Sequence, residues 1–374
     1  MNAVQESTLT SPVTPAPVLE IRNLEVELRA THSVVHAVNG LSLSLWRRQT
    51  HALVGESGSG KSVTALATVG LLPPRQATVR GEVLFDGNDL TKLSERQLQR
   101  IRGRDISMVF QDPSAALNPV RRVGTQVAEA LTAHGTSRAE ARTRVRTLLR
   151  EVGLYNPDQL ARKYPFELSG GMKQRIVIAA ALGPRPRLLI ADEPTTALDA
   201  TIQEQVLRLL RRLTEESGTA MLLITHDLAI AARAADWISV MYGGMIVESG
   251  ESAAILSRPF HPYSVGLLGA IPHLGREKRP LHGVGGEPLD SRKRPAGCPF
   301  APRCQWALVR CWTERPPLSA PAKLPVPGDG QRGDHVVACW NPVHSREVGA
   351  GRPLRPGFQR AAGPSGEVHP VGNP

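Results

Sequence analysis

Apolar residues in this chain fall into two rhythms, and their succession outlines an α/β fold. Leu19, Ile21, Leu24, Val26 and Leu28 stand among polar neighbours with a period near two, which predicts a half-buried strand. Ala37 to Leu45 repeats the pattern, and His51 to Val54 runs directly into a glycine-rich loop. Ser62 to Leu72 reads as a helix opened by that loop, and Ile106 to Phe110 as a short strand ending at Gln111. Ser137 to Val152 is a clear helix: Ser137 and Glu140 have capping-box spacing, and Val145, Leu148, Leu149 and Val152 share one face. Leu188–Ala191 and Met221–Thr225 are continuous apolar runs of strand length, the pattern of parallel strands covered on both faces. Between them Ile202, Val206, Leu209 and Leu210 form a helical stripe. Strands and helices alternating in this order make an α/β core.

From about Ser257 the character changes: proline becomes frequent and periodicity fades. The pattern divides the chain into a tail at 1–17, a core domain at 18–257, a loop-rich extension at 258–344 and a Gly/Pro-rich tail at 345–374, with both tails expected to be disordered. The whole has 374 residues, enough for one large domain and an appendage. No run of 18 or more apolar residues occurs, and the first residues lack a basic patch leading into an apolar stretch, so neither a membrane span nor a secretory signal is expected.

The formal net charge is +11, carried by 38 Arg against 7 Lys. Such charge suits an anionic membrane surface or nucleic acid. The basic residues are scattered, however, and aromatics make up only 4% of the chain, too few for base stacking, so compositional bias towards Arg is the preferred explanation and no nucleic-acid partner is expected.

The chemistry begins at Gly55-Glu56-Ser57-Gly58-Ser59-Gly60-Lys61-Ser62. Glycines let successive N–H groups turn towards one centre and hold phosphate oxygens. Lys61 would reach the terminal phosphates, Ser62 would offer a hydroxyl to Mg²⁺, and the helix continuing through Val63 would present its positive end. Asp192 and Glu193 end the Leu188–Ala191 strand, where open α/β sheets bind their ligands. Asp192 is then placed for Mg²⁺, and Glu193 to orient or deprotonate an attacking water. His226 ends the next strand; a lone histidine is more often structural, but adjacency to the catalytic strand points it at the γ-phosphate. Gln111 ends a third strand and would sense Mg²⁺ or water. Leu168-Ser169-Gly170-Gly171 precedes a helix expected over Gln174–Leu182 and forms a second anion-binding N-terminus.

Together these motifs resemble the ATP-binding cassette (ABC) transporter ATPases. The Walker A loop lies at Gly55–Ser62, the Q-loop at Gln111, the signature at Leu168–Arg175, Walker B at Leu188–Glu193, the D-loop at Ala197-Leu198-Asp199 and the switch histidine at His226. Phe110-Gln111-Asp112-Pro113, Leu117-Asn118-Pro119, His261-Pro262-Tyr263, Gly297-Cys298-Pro299-Phe300 and Arg303-Cys304 resemble the oligopeptide/dipeptide importer subfamily, and the likeness covers roughly residues 18–345. The resemblance implies a RecA-like parallel-sheet core with an antiparallel β subdomain and a helical subdomain at about 112–183, plus the small cysteine-containing extension. It implies an ATPase on the cytoplasmic face of the membrane, energising import of peptides or related solutes. Its partners would be a second, different ATPase, two membrane permeases and an external solute-binding protein. The signature of one subunit, with Asp199 nearby, would close on the ATP of the other. A soluble ABC ATPase of translation or DNA repair is the competing reading; such chains carry two cassettes or a coiled-coil insertion, and neither is present here.

Two positions depart from the family's pattern. Leu28 stands where the family commonly stacks adenine on an aromatic ring, and Arg48-Gln49 stand where it usually has Gly-Glu, so a turn requiring positive φ would strain Arg48.

The four cysteines, Cys298, Cys304, Cys311 and Cys339, all lie in the extension with the spacing Cys-x5-Cys-x6-Cys-x27-Cys. That is neither the paired spacing of common zinc modules nor that of ferredoxins, and spacing alone leaves open both reduced structural cysteines and a metal site. The resemblance implies a [4Fe–4S] cluster on these four residues, with Trp306, Trp312 and Trp340 lying among them.

Overall fold

Alternation of buried and open positions produces two sheets in the computed structural model, which describes residues 16–31, 33–196, 198–271, 283–321 and 335–343. The strands in chain order are β1 (Leu19–Ala30), β2 (Ser33–Leu45), β3 (Thr50–Val54), β4 (Ala77–Phe85), β5 (Asn88–Asp89), β6 (Ile106–Val109), β7 (Leu188–Asp192), β8 (Ala220–Thr225), β9 (Trp237–Tyr242), β10 (Met245–Glu251) and β11 (Val336–Val337). An antiparallel sheet has the order β2-β1-β4-β5. The larger sheet runs β11-β10-β9-β3-β8-β7-β6, parallel from β9 through β6 and antiparallel at β10 and β11.

The broken rhythm between Ile21 and Leu24 has a physical cause. The register of β1 shifts there, Asn23 takes φ 47°, and its N–H donates to Ser42 Oγ at 2.9 Å. This bulge adds residues without turning the apolar face outward. The apolar runs of β7 and β8 are buried throughout and serve two cores at once. Leu188 and Ile190 pack towards the antiparallel sheet, while Leu189 and Ala191 pack towards the helices on the other face.

The helices follow the sequence with adjustments. The helix after the glycine-rich loop is Lys61–Thr68, shorter than the expected Ser62–Leu72, because Gly70 turns at φ 64° and the Leu71 N–H reaches back to the Leu66 carbonyl. The helix Arg138–Glu151 buries Val145, Leu148 and Leu149, with Val152 buried at its end. Ser137 caps it by accepting the Glu140 N–H at 3.2 Å. The signature helix begins at Gly170, not Gln174, with Ser169 as its cap. Periodicity overlooked this first turn because Gly170 and Gly171 carry no apolar signal.

Residues beyond Ser257 contain more structure than their composition suggested. His261 caps a helix at Pro262–Gly269, β11 joins the main sheet, and Cys298, Phe300, Ala301 and Cys311 are buried in the helix-side core. The tails at 1–15 and 344–374, and Ala197 of the D-loop, lie outside the described residues.

Candidate functional site

The carboxyl ends of β3, β6, β7 and β8 deliver the loop 55–62, Gln111, Asp192 and Glu193, and His226 to one edge of the sheet, the end at which open α/β sheets bind ligands. The loop is shaped by close approach. A Cβ on Gly60, at φ 103°, would lie 2.1 Å from the Ala37 carbonyl oxygen, and one on Gly55 would lie 2.2 Å from that of Met241. Ser57 and Gly58 form the exposed tip, Ser59 is buried beneath them, and the loop closes with the Ser59 N–H donating to Glu56 O at 3.2 Å.

Lys61 is buried, and its ammonium donates to Gly55 O at 2.7 Å and Glu56 O at 2.9 Å. Burial lowers its pKa, opposed by the charges of Glu193, Asp192 and Glu56. Ser62 Oγ donates to Asp192 Oδ1 at 3.0 Å. Asp192 is buried, and loss of hydration raises its pKa against the Ser62 bond. A hydroxyl and a desolvated carboxylate side by side fit the donor set of a Mg²⁺ ion. Val63 follows on the helix and packs against the sheet-side core.

Glu193 leaves β7 at φ 45°, a costly conformation for a non-glycine residue, held by its N–H bonding the Ile224 carbonyl of β8 at 2.9 Å. Its carboxylate collects Gln111 Nε2 at 3.2 Å, Thr196 Oγ1 at 2.7 Å and His226 Nδ1 at 3.2 Å. Desolvation would raise its pKa, yet the bonds from Thr196 and His226 hold it below the usual carboxylate value. Thr196 was not singled out from the sequence, since a threonine in a loop carries no distinguishing pattern.

The signature lies apart from this group. Leu168 is buried, while Ser169 and Gly170 are exposed at the start of the helix Gly170–Leu182. Ser169 Oγ accepts the Met172 N–H at 3.3 Å. No hydrogen bond or ion pair among the described residues joins Leu168–Gly171 to the glycine-rich loop. Asp199 caps the helix Ala200–Ser217, accepting from the N–H groups of Thr201 and Ile202. Leu28 is half-buried on β1, facing Val35 and Ala77 across the sheet.

This arrangement agrees with the comparisons. Residues 38–196 match the family described as ABC transporter, and residues 247–311 match that described as Oligopeptide/dipeptide transporter, C-terminal region. The chain is 45% identical over 326 residues to the dipeptide transport ATP-binding protein DppD of Bacillus subtilis, covering 86% of this chain and 94% of that one. It is 42% identical over 342 residues to the oligopeptide transport ATP-binding protein OppD of Salmonella typhimurium, covering 91% and 98%. The chain belongs to the ABC transporter ATP-binding proteins. Among solved structures it is similar to the ATP-binding cassette MJ0796, a dimer bound to ADP and Pi, at TM-score 0.56 and 28% identity over 63% of this chain and 98% of that one. The family assignment makes this protein an ATPase with the ABC cassette fold, and it sets aside the soluble, non-transport alternative.

In this ABC ATPase all four cysteines are free thiols, and Cys298 and Cys311 are buried. Cys339 feels the charges of Cys298, Cys304 and Cys311, and Cys304 those of Cys298 and Cys311. Backbone N–H groups face the sulfurs: Leu308 N lies 3.4 Å from Cys311 Sγ, and Asn341 N lies 3.4 Å from Cys339 Sγ. Among the described residues, however, no three His, Cys, Asp or Glu side chains stand in the geometry of a metal site. Burial pushes Cys298 up to about 11 and Cys304 and Cys339 up to about 12, which keeps them protonated near neutrality. The expected [4Fe–4S] cluster therefore gains no support from this geometry. Of the described helices, none is long and apolar enough to cross a membrane.

Proposed function

We propose that this ABC ATPase energises uptake of peptides or related small solutes, working from the cytoplasmic face of the membrane. It does so by pairing with a second, different ATPase subunit on two permeases, which receive solute from an external binding protein. One observation carries the pairing: Lys61, Ser62, Asp192, Glu193 and His226 gather at one edge while Ser169 and Gly170 stand exposed at the start of their helix with no bond to that group. One chain then supplies half of each of two sites, and a bound triphosphate is completed by the partner's signature. The names of the peptide-transporting relatives support the class of cargo.

In this reading Gly55–Ser62 cradles the phosphates, Lys61 keeps its two carbonyl partners and turns its third N–H to the terminal phosphates, and Ser62 and Asp192 would hold Mg²⁺, which would neutralise phosphate charge. Glu193, kept ionised, accepts a proton from the attacking water or orients it. Gln111 and His226 report the state of the γ-phosphate to their loops. Residues 112–183 form the subdomain that meets the permeases, and 258–344 form the C-terminal extension. Hydrolysis removes the affinity that holds the pair, and the population shifts towards the separated state.

We also read the four cysteines as ligands of a [4Fe–4S] cluster with a structural role. The likeness of residues 247–311 to the oligopeptide/dipeptide transporter C-terminal region supports this reading. Anaerobically purified protein should show broad visible absorbance with iron and acid-labile sulfide. Stoichiometric zinc without iron, or no metal, would overturn it.

The transport reading is tested by co-expressing the chain with permeases and a second ATPase. It should co-purify with them, and a photo-crosslinking residue at Ser169 should capture the paired subunit's phosphate loop only in the presence of ATP. Capture independent of nucleotide, or no association with permeases, would count against it.

A further inference from the structure

The motif His261-Pro262-Tyr263 and the residue Arg303 have no part in the catalysis described above, yet both end at the phosphate loop. His261 is buried and caps its helix, its Nδ1 accepting the Tyr263 N–H at 3.0 Å, and Pro262 occupies the first helical position. This start directs the Tyr263 ring into the core, against Tyr242 at 4.8 Å and Phe300 at 5.4 Å between centroids. Tyr263 is fully buried, and its hydroxyl oxygen accepts the Glu56 N–H at 2.8 Å.

The peptide unit between Gly55 and Glu56 is thereby gripped from both sides. A trans peptide points its carbonyl and its N–H in opposite directions. The N–H goes to Tyr263, and the carbonyl of Gly55 accepts Lys61 Nζ at 2.7 Å. Rotating this unit would break both bonds together, so the hydroxyl of Tyr263 fixes where the Lys61 ammonium rests.

Arg303 grips the same residue through its side chain. The guanidinium donates to both Glu56 carboxylate oxygens, at 2.7 and 3.1 Å. It also donates to Gly285 O at 2.8 Å, Val284 O at 3.1 Å and the Tyr242 hydroxyl at 3.3 Å. These contacts use the whole donor set of the guanidinium, and the Arg303 side chain is only 4% exposed. A buried guanidinium without its carboxylate is strongly disfavoured, so Glu56 is held wherever the segment from Cys298 to Cys304 places Arg303.

We propose that Tyr263 and Arg303 are positioning residues for ATP hydrolysis, acting through Glu56 to set the Gly55–Glu56 peptide that seats Lys61. The residues beyond Ser257 thus brace the nucleotide site of their own chain. The inference rests on the reading of Gly55–Ser62 as the ATP site.

The test uses full-length protein and measures MgATP affinity, KM, kcat and thermal midpoint for Tyr263→Phe, Glu56→Gln, Arg303→Met and the double variant Glu56→Gln/Arg303→Met. Tyr263→Phe should weaken MgATP binding and raise KM on the order of fivefold, with kcat changed much less. Glu56→Gln and Arg303→Met should have similar effects, and the double variant should be no worse than the worse single one, because both remove one link. A lowered thermal midpoint with affinity and KM unchanged would overturn the proposal, as would single effects that multiply in the double variant. Should Arg303→Met not fold, Tyr263→Phe and Glu56→Gln decide the matter. Lys61→Ala separates the two levels: if it leaves ATP binding intact, the site assignment fails; if it abolishes binding while Tyr263→Phe and Glu56→Gln do nothing, only the brace fails.

Discussion

Glu193 Oε1 lies 3.2 Å from His226 Nδ1, and the residue holding that carboxylate sits at φ 45°. The strained backbone and this contact belong together. A relaxed Glu193 would leave β7 in another direction and lose the N–H bond to Ile224 that ties it to β8. With Gln111 and Thr196 on the other carboxylate oxygen, loops from three strand ends meet at one group. In the proposed site, a γ-phosphate arriving among them would displace or reorient Gln111 and His226, which would give those loops a way to register the nucleotide.

Glu193→Gln should lower turnover by about 10²–10⁴, the usual contribution of a general base, with ATP affinity nearly unchanged. The amide oxygen can still accept from Gln111 and Thr196 while its NH2 faces His226 as a donor, and the charge is lost, so the fold should hold. Steady-state hydrolysis and a nucleotide titration on the same preparation check this. If binding weakens as much as turnover, Glu193 holds nucleotide and is not the base.

Acid should destabilise the protein through two buried imidazoles. Burial lowers His51 to about 4, only partly opposed by its bond to the Ser44 carbonyl, and burial lowers His261 to about 4 against the charge of Glu248. Both folded values lie below the ordinary 6.5, so the unfolded chain binds protons that the native chain refuses. Above pH 6.5 neither residue matters. From 6.5 down to about 4 each removes up to about 1.4 kcal/mol per pH unit, and below that the loss levels off. Urea midpoints measured from pH 7 to 4.5 should fall, and His51→Gln should flatten the slope by up to one proton. Identical slopes would mean that His51 is protonated in the native state.

Arg48→Gly should stabilise the fold. Arg48 turns the chain between β2 and β3 at φ 62°, with the Gln49 N–H bonding the Trp46 carbonyl at 3.2 Å. An L-residue in this region costs roughly 1–2 kcal/mol, and the extra freedom of glycine in the unfolded chain returns roughly 0.4–1 kcal/mol of that. The expected net gain is about 0.5–1 kcal/mol by urea denaturation. Hydrolysis should not change, because the turn lies at the amino end of β3 and the phosphate loop at its carboxyl end. A loss of stability would show that the Arg48 side chain contributes more than its backbone costs.

The parallel core and the gathering of Gly55–Ser62, Gln111, Asp192, Glu193 and His226 at one sheet edge are legible because each rests on local pattern: continuous apolar runs, a glycine-rich loop, acids at a strand end. The β9–β10 hairpin leaves no such pattern, although Gly243 and Gly244 mark its turn at positive φ. Its strands are buried along most of their length, so no alternation announces them. β4 was also passed over: Arg80, Gly81 and Glu82 interrupt its apolar positions, and Gly81 is required because a Cβ there would lie 2.4 Å from the Asn23 carbonyl oxygen. Thr196 and Arg303 were out of reach for a different reason. Their roles are set by which distant carboxylate they meet, Glu193 and Glu56, and sequence spacing carries no information about that.

Leu28→Tyr should tighten ATP binding, and the argument turns on which part of the nucleotide gains. Leu28 is half-buried on β1 and offers dispersion contact but no π-face. An aromatic ring stacked on a base contributes about 1–3 kcal/mol in nucleic-acid systems, and a partly exposed site should deliver the lower part of that range. Since 1.4 kcal/mol is a factor of ten, the expected gain in ATP affinity is about five- to tenfold. The gain belongs to the base alone, so affinity for inorganic tripolyphosphate should stay the same in both proteins. Titrating each with both ligands separates stacking from any rearrangement of the phosphate loop. Tripolyphosphate tightening in parallel would trace the change to Gly55–Ser62, and ATP binding left unchanged or weakened would move the adenine away from residue 28.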